Sequence, residues 1–154
     1  MKPWTVSSVE RNRPTVSAIS ARWTIVMIYA AGIFAASSTP QPFGVQELPP
    51  FVDKVIHAAV FGGFSLTVWM ALRYSAPRVS TVRLSLLAVL IATLYGLSDE
   101  IHQSFVPGRT MDGLDVVADA IGACLAQAMI VMRSAARKPN DLGSVARSVP
   151  GSAR

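Results

Sequence analysis

Four long apolar runs, separated by short polar segments, dominate the pattern of hydrophobic and polar positions along the chain. They cover residues 23–38, 51–74, 84–103 and 114–133. A helix needs about 20 residues to cross a hydrocarbon core of about 30 Å, and the last three runs reach that length. The sequence has no useful stretch of strand-like alternation, and membrane spans must be helices or closed barrels. The pattern predicts an all-α, polytopic membrane protein with four transmembrane helices in a small bundle.

The first run is short for a span, and a cleaved signal peptide is the competing interpretation. The long segment that precedes it and the aromatic residues Trp23 and Tyr29 favour a retained membrane anchor. We therefore expect a four-helix membrane domain over residues 21–133. We expect disordered tails at 1–20 and at 134–154, and the second tail is rich in Ser, Ala, Arg, Gly and Pro.

The composition supports a bilayer environment. Hydrophobic residues make up 51% of the 154 and charged residues 15%, with a mean hydropathy of +0.42, whereas soluble domains carry about 25% charged residues. The net charge of +5 could indicate nucleic acid, but no soluble module would present the basic residues. We therefore predict no nucleic-acid partner. The single cysteine, Cys124, excludes an internal disulfide.

The basic residues predict the orientation of the four spans. Most lie in the two terminal segments and between the second and third spans: Lys2, Arg11, Arg13, Arg22, Arg73, Arg78, Arg83, Arg133, Arg137, Lys138, Arg147 and Arg154. The segments 39–50 and 104–113, with their helix edges, hold only Lys54 and Arg109. The positive-inside rule then places both termini in the cytoplasm and these two segments outside.

Ionisable groups gather on the predicted outer side. Seven of the nine acidic residues fall there: Glu47, Asp53, Asp99, Glu100, Asp112, Asp115 and Asp119. Both histidines, His57 and His102, lie there too. Ionisable groups in or near hydrocarbon are costly and usually mark function. This cluster is therefore the candidate functional site.

Helical spacing predicts that side chains from three helix ends converge. Positions 53 and 57, positions 100 and 103, and positions 112, 115 and 119 each share a helix face. The Pro107-Gly108 turn would bring Arg109 to the same place. We expect a pocket formed by Asp53, Lys54, His57, Glu100, Gln103, Arg109, Asp115 and Asp119.

Small residues predict how two of the helices pack below this pocket. Gly122 and Ala126 continue the acidic stripe of the fourth span, and the second span offers Ala58, Gly62 and Gly63. Small side chains let helices approach closely in lipid. We therefore expect the second and fourth helices to pack closely and to direct the carboxylates into the bundle.

Structural roles compete with function for several of these residues. Asp53, Asp112 and Asp115 could cap helices or favour their dipoles. Capping explains neither Glu100, at a helix end that disfavours an anion, nor Asp119, inside an apolar span. These two need partners, and Arg109, Lys54 and His57 are the candidates. A purely structural ion-pair network stays open.

The motifs together resemble those of a known family. Asp53-Lys54-x-x-His57, Tyr95-Gly96, Glu100-x-x-Gln103, Pro107-Gly108-Arg109 and Asp112-x-x-Asp115-x-x-x-Asp119-x-x-Gly122-Ala123 closely resemble the VanZ-like family of small bacterial membrane proteins. The resemblance implies a multi-pass protein of the bacterial cytoplasmic membrane with a role in the cell envelope. Family members are similar to an accessory protein linked to teicoplanin resistance. The family's frequent asparagine corresponds here to Asp119.

The residues and the resemblance lead to one functional hypothesis. An outward-facing pocket would bind an anionic envelope lipid or a lipid-linked precursor. The candidate ligand-binding residues are Asp53, Lys54, Gln103, Arg109 and Asp119, and the candidate catalytic residues are His57, Glu100 and Asp115. A general acid or base from the second group, with Arg109 stabilising developing charge, would make the protein an enzyme.

Two other classes stay open. One is a non-catalytic membrane accessory that only holds a headgroup or a structural ion-pair network. The other is a small transporter with a proton relay. The chain has no nucleophile motif, Gly-rich phosphate loop or His-Glu-x-x-His signature, so the sequence does not decide whether it is an enzyme. It identifies no cofactor and no metal ligand, and a carboxylate–histidine metal site is the less favoured alternative.

Overall fold

The chain forms four long α-helices in the part that the structure describes. A computed structural model describes residues 15–40 and 51–147. The helices are α1 (Val16–Ser37), α2 (Val52–Ser75), α3 (Thr81–Gln103) and α4 (Gly113–Arg147). All four are long and apolar enough to cross a membrane, α4 over Gly113–Arg137. The prediction of an all-α protein with four spans is confirmed.

Local side-chain caps fix where three of the helices begin. Thr15 Oγ1 accepts the Ala18 N–H at 3.3 Å before α1, and Ser80 Oγ accepts the Arg83 N–H at 3.4 Å before α3. Asp112 Oδ1 accepts the Leu114 N–H at 2.8 Å before α4. Each oxygen satisfies a backbone donor that the helix leaves unpaired. The capping role considered for Asp112 is therefore present, but it is not this residue's only contact.

Two helices are longer than the hydropathy pattern predicted. α1 begins at Val16, so residues 16–20 are helical rather than disordered. α4 continues to Arg147, so residues 134–147 are helical as well. The helix limits differ from the expected ones because the expectation followed hydropathy, whereas Ala, Arg and Lys favour helix without being apolar. Residues 1–14 and 148–154 of the predicted tails lie outside the described part, as does Glu47.

α2 lies at the centre of the bundle and contacts each of the other three helices. Its largest interface is with α4, where Gly62 and Gly122 bring the two backbones together. A Cβ added to Gly62 would lie 3.1 Å from the Gly122 carbonyl oxygen, and one added to Gly122 would overlap the Ala58 backbone. The predicted close packing of these helices is confirmed, and it needs glycine at position 122.

Aromatic residues join α1 to the rest of the bundle. Phe61 and Phe64 of α2 are almost fully buried in the apolar core. Tyr29 donates its hydroxyl hydrogen to the Val60 carbonyl at 3.0 Å, and Tyr95 donates to the Ala30 carbonyl at 2.7 Å. Both hydroxyls thereby satisfy backbone oxygens inside the bundle.

The surface of the bundle is apolar, as expected for helices in lipid. Large hydrophobic side chains such as Ile28, Leu86 and Leu125 are more than half exposed. Polar side chains such as Gln127, whose amide donates to the Ser65 carbonyl at 3.0 Å, are buried instead. This arrangement is stable only with hydrocarbon around the helices. The protein is therefore a multi-pass membrane protein.

The orientation across the membrane stays a prediction with a direct test. In a Cys124→Ser background, we expect Ser104→Cys to react with a membrane-impermeant maleimide in spheroplasts, because the α3–α4 turn faces outward under the positive-inside rule. Arg78→Cys should react only after lysis. Both positions are exposed. Labelling of Arg78→Cys, but not of Ser104→Cys, in unlysed spheroplasts would reverse the orientation.

Candidate functional site

Four helix ends meet at one end of the bundle. They are the C-terminal ends of α1 and α3 and the N-terminal ends of α2 and α4. The turn at residues 104–112 joins α3 to α4, and Gly108 in it has a φ of 82°, which favours glycine. The sequence predicted three of these ends, and the end of α1 is the fourth. The ionisable residues of the predicted site lie here.

Lys54 is the centre of the charged contacts. Its Nζ lies 2.9 Å from Asp53 Oδ2 and 2.8 Å from Asp115 Oδ1, and it also donates to Asp112. The hydrogen bond from Lys54 and the Leu114 N–H hold the pKa of the Asp112 carboxyl below its usual value. One ammonium thus contacts carboxylates from α2, from the turn and from α4.

His57 partners the deepest carboxylate of the site. Its Nδ1 lies 3.1 Å from Oδ1 of Asp119, which is fully buried. With Asp119 ionised, the carboxylate can only accept, so the imidazole N–H donates from Nδ1. The other ring nitrogen, Nε2, lies 3.9 Å from Asp115 Oδ1. Of the three candidate partners for Asp119, His57 is therefore the one that contacts it.

Glu100 is bound by backbone rather than by a basic side chain. It is fully buried, and its Oε2 accepts the Asp112 N–H at 2.8 Å. Among the described residues no basic side chain forms an ion pair with it, so the expectation of a basic partner was wrong for Glu100. The contact holds the end of the turn against α3. The second oxygen, Oε1, is buried and has no hydrogen-bond partner in the described part of the chain.

Arg109 contacts an amide and not the carboxylates. Its Nη1 donates to Gln103 Oε1 at 2.9 Å. Among residues 15–40 and 51–137 it forms no ion pair, so Arg109, a candidate partner of Glu100 and Asp119, pairs with neither. Lys54 lies closer along α2 to the acidic stripe of α4 and contacts carboxylates there instead.

Two further residues belong to the site but are not among the eight predicted pocket residues, although Asp99 was counted in the outer acidic cluster. Asp99 is buried, and its Oδ2 accepts hydrogen bonds from Gln103 Nε2 at 3.0 Å and from Ser37 Oγ at 2.8 Å. The four-residue spacing of Asp99 and Gln103 was a visible signal. Ser37 gave none, because its contact joins residues far apart in sequence. Asp99 thereby orients the amide that holds Arg109.

Two adjoining cavities open between these side chains. The larger, of about 360 Å³, is lined by Ile56 and Gly108 and by the polar residues Asp53, Lys54, His57, Gln103, Arg109, Thr110, Asp112 and Asp115. The smaller, of about 180 Å³, extends toward α1 along Ile33, Ile56, Val60 and Phe61. His57, Gln103 and Arg109 line both. A polar compartment therefore adjoins an apolar one beside the same imidazole and guanidinium.

The eight predicted site residues do come together in space. Six of them line the larger cavity. The other two are buried behind residues of its wall: Glu100 accepts the Asp112 N–H, and Asp119 contacts His57. The proximity that helical spacing predicted is confirmed. The catalytic and ligand-binding roles assigned to these residues stay predictions.

Comparison with known proteins gives one match. A protein-family model described as VanZ/LLP1 matches residues 3–134. No curated protein and no solved structure matches the chain significantly. The family match covers all four spans and extends well beyond residues 53–126, where the motifs carried the resemblance. The chain belongs to the VanZ/LLP1 family.

Proposed function

We propose that the protein binds an anionic lipid of the cell envelope, or a lipid-linked envelope precursor, in the paired cavities at the outer end of the bundle. The observation that carries the proposal is the placement of Arg109. This residue lies where the polar cavity of about 360 Å³ adjoins the apolar cavity beneath it. An amphiphile with a phosphate headgroup needs both environments at once.

Arg109 is the group best suited to the headgroup. Its side chain donates to one amide oxygen, and its buried Nε has no hydrogen-bond partner among the described residues. A guanidinium offers five donors in a planar fork that matches a phosphate. Lys54 is committed to three carboxylates. On this proposal Arg109 holds the anion, and Lys54 stays paired with the acids.

The apolar cavity suits the beginning of an acyl or prenyl chain. Ile33 of α1 and Ile56 of α2 form part of its walls, and Phe61 lies at its base. Burial of hydrocarbon favours binding even within a membrane when the pocket packs closely against it. A soluble anion would use only the polar compartment, so this feature favours a lipid.

Acid–base chemistry on the bound headgroup is the second candidate function. One observation favours it: Asp119 orients the His57 imidazole through Nδ1, and the remaining nitrogen Nε2 faces Asp115 at the cavity. An orienting carboxylate on one ring nitrogen and a free second nitrogen are the arrangement of a general base. His57 would take or give the proton, with Glu100 and Asp115 beside it.

A proton-relay transporter fits less well. In the described helices, the Asp, Glu, His, Lys and Arg side chains lie toward the ends of the spans, as Arg22, Arg73 and Glu100 do, and none of these residue types occupies the middle of a span. A relay across the membrane needs protonatable groups or water along the whole path.

We further propose an outward-facing site in the bacterial cytoplasmic membrane. The family supports a link to the cell envelope and to glycopeptide resistance.

The proposal predicts that Arg109→Ala lowers retention of anionic lipid about tenfold, because a charge-assisted hydrogen bond contributes about 1.5–3 kcal/mol. Wild-type and variant protein are incubated in detergent with equal phosphatidylglycerol and phosphatidylcholine, and bound lipid is counted by native mass spectrometry. Arg83→Ala is the matched control, since Arg83 is exposed at the opposite end of the bundle.

We expect the Arg83→Ala protein to retain phosphatidylglycerol as the wild type does. The Arg109→Lys protein should retain an amount of phosphatidylglycerol between those of the wild type and Arg109→Ala, since lysine keeps the charge without the planar fork. Equal retention of phosphatidylglycerol and phosphatidylcholine by the wild type would contradict the proposal. So would an Arg109→Ala protein that binds phosphatidylglycerol as well as Arg83→Ala does.

A further inference from the structure

We infer that His57, Glu100 and Asp115 form a binding site for one divalent transition-metal ion of the Zn²⁺ or Mn²⁺ class. The three residues come from three different helices, α2, α3 and α4, and meet at the inner wall of the polar cavity. The inference goes beyond lipid binding and does not depend on it. An ion could be held here whether or not Arg109 holds a headgroup.

The distances between the donor atoms suit one ion. One nitrogen or oxygen from each residue lies within 4.8 Å of the other two, and His57 Nε2 lies 3.9 Å from Asp115 Oδ1. Metal–ligand distances of 2.0–2.2 Å place two ligands of one tetrahedral ion about 3.4 Å apart. The widest pair must therefore close by at most about 1.4 Å, through changes of side-chain torsion angles.

Glu100 supplies the observation that points to a ligand. Glu100 is completely buried, with 0% of its surface accessible. Its Oε1 has no hydrogen-bond donor among the described residues. Oε2 is already occupied by the Asp112 N–H. A buried carboxylate oxygen without a donor is costly, and such atoms usually have a partner. A cation between Glu100, His57 and Asp115 would be that partner.

The second nitrogen of His57 is arranged as in metal sites. A metal-bound histidine usually donates its other N–H to a carboxylate, which fixes the ring and raises the basicity of the ligating nitrogen. Here Asp119 Oδ1 lies 3.1 Å from Nδ1 and is completely buried. This leaves Nε2 as the ligand. Asp119 is therefore a positioning residue for the metal ligand and not a ligand itself.

The donor set and the local charges indicate the class of ion. One imidazole and two carboxylates suit Zn²⁺ and Mn²⁺ better than Mg²⁺, which prefers oxygen ligands and water. Lys54 contacts Asp115 Oδ1 at 2.8 Å in the structure. On metal binding its ammonium can keep its contacts with Asp53 and Asp112. Coordination positions facing the cavity remain for water or a phosphate oxygen.

Equilibrium dialysis of the purified full-length protein, first stripped with chelator and free of added lipid, tests the inference. Bound Zn²⁺ and Mn²⁺ are measured by mass spectrometry of the elements. We expect one ion per wild-type chain. His57→Gln, Glu100→Gln and Asp115→Asn should each weaken binding at least tenfold. Asp119→Asn should weaken it about 10–100-fold, as loss of an orienting partner does.

One control separates this site from adventitious binding. His102→Gln removes the other histidine, which contacts Ser38 Oγ through Nε2 at 3.0 Å. This protein should bind one ion as the wild type does. Binding that survives His57→Gln or Glu100→Gln, or that is lost in His102→Gln, would overturn the inference, as would a wild type that binds no ion.

X-ray absorption of the Zn²⁺-loaded wild type provides a test that needs no variant to fold. The expected spectrum shows one imidazole and a shell of oxygen ligands at about 2.0–2.2 Å. Sulfur at about 2.3 Å would indicate Cys124, and a shell without imidazole would indicate lipid or solvent oxygens. Either result would overturn the assignment. Failure of the lipid assay alone would leave the metal results unchanged, so the two proposals fail separately.

Discussion

Replacing Gly122 by Ala should lower the free energy of unfolding by about 3 kcal/mol, at the upper end of the effect of an overpacked interior. A Cβ at position 122 would overlap the carbonyl oxygen and the Cα of Ala58 on α2. These are backbone atoms that cannot rotate away, so the two helices must separate along their largest interface. Unfolding of the purified protein by titration with sodium dodecyl sulfate measures the change.

Two alanine substitutions calibrate this result. Gly62→Ala should have a smaller effect, because its Cβ would lie 3.1 Å from the Gly122 oxygen and needs only a slight shift. Gly32→Ala should leave stability unchanged or slightly raised, since nothing lies within 4 Å of a Cβ there and alanine favours helix. A Gly122→Ala protein as stable as Gly32→Ala would show that α2 and α4 do not pack as described.

Replacing Glu100 by Ala should reduce retention of anionic lipid about as strongly as Arg109→Ala does. Electrostatics alone predicts stronger retention, because the substitution removes a negative charge that repels the anionic headgroup. We expect the loss because Glu100 Oε2 anchors the Asp112 N–H and so holds the turn that carries Arg109. Hydrogen exchange of residues 104–112 should rise in the same variant.

Glu100→Gln is the matched control for this prediction. Its amide oxygen can still accept the Asp112 N–H, so the turn should stay protected and the lipid should be retained. The same variant should lose the metal ion, which makes the two roles of Glu100 separable. Stronger retention of anionic lipid in Glu100→Ala than in the wild type would show that charge, and not the position of Arg109, governs binding.

Much of this architecture follows from simple rules applied to the sequence. Hydropathy and length located all four spans because a bilayer leaves few other structures for apolar runs of this length. Helical spacing predicted that Asp53 and His57 share one face of the second helix, and that Asp115 and Asp119 share one face of the fourth. The small residues around Gly122 then indicated which helix the acidic stripe of α4 would meet.

The pairing of individual charges could not be predicted in the same way. Lys54 and Arg109 were equivalent candidates for the carboxylates, and only the helix positions place Lys54 against Asp115. Ser37 bonds to Asp99 across two helices that no spacing rule connects. The partner of Glu100 is a backbone N–H, which every residue except proline has and which leaves no signal in a sequence.

Photocrosslinking can show directly whether an anionic headgroup binds beside Arg109, at the end of the bundle where α3 ends and α4 begins. A phosphatidylglycerol carrying a diazirine on its headgroup is incorporated with the wild-type protein into vesicles, irradiated and mapped by peptide mass spectrometry. We expect labelling within residues 100–115 that excess phosphatidylglycerol suppresses, that phosphatidylcholine does not suppress, and that Arg109→Ala strongly reduces. Labelling confined to residues 73–83 at the opposite end, or equally suppressed by both lipids, would contradict the proposal.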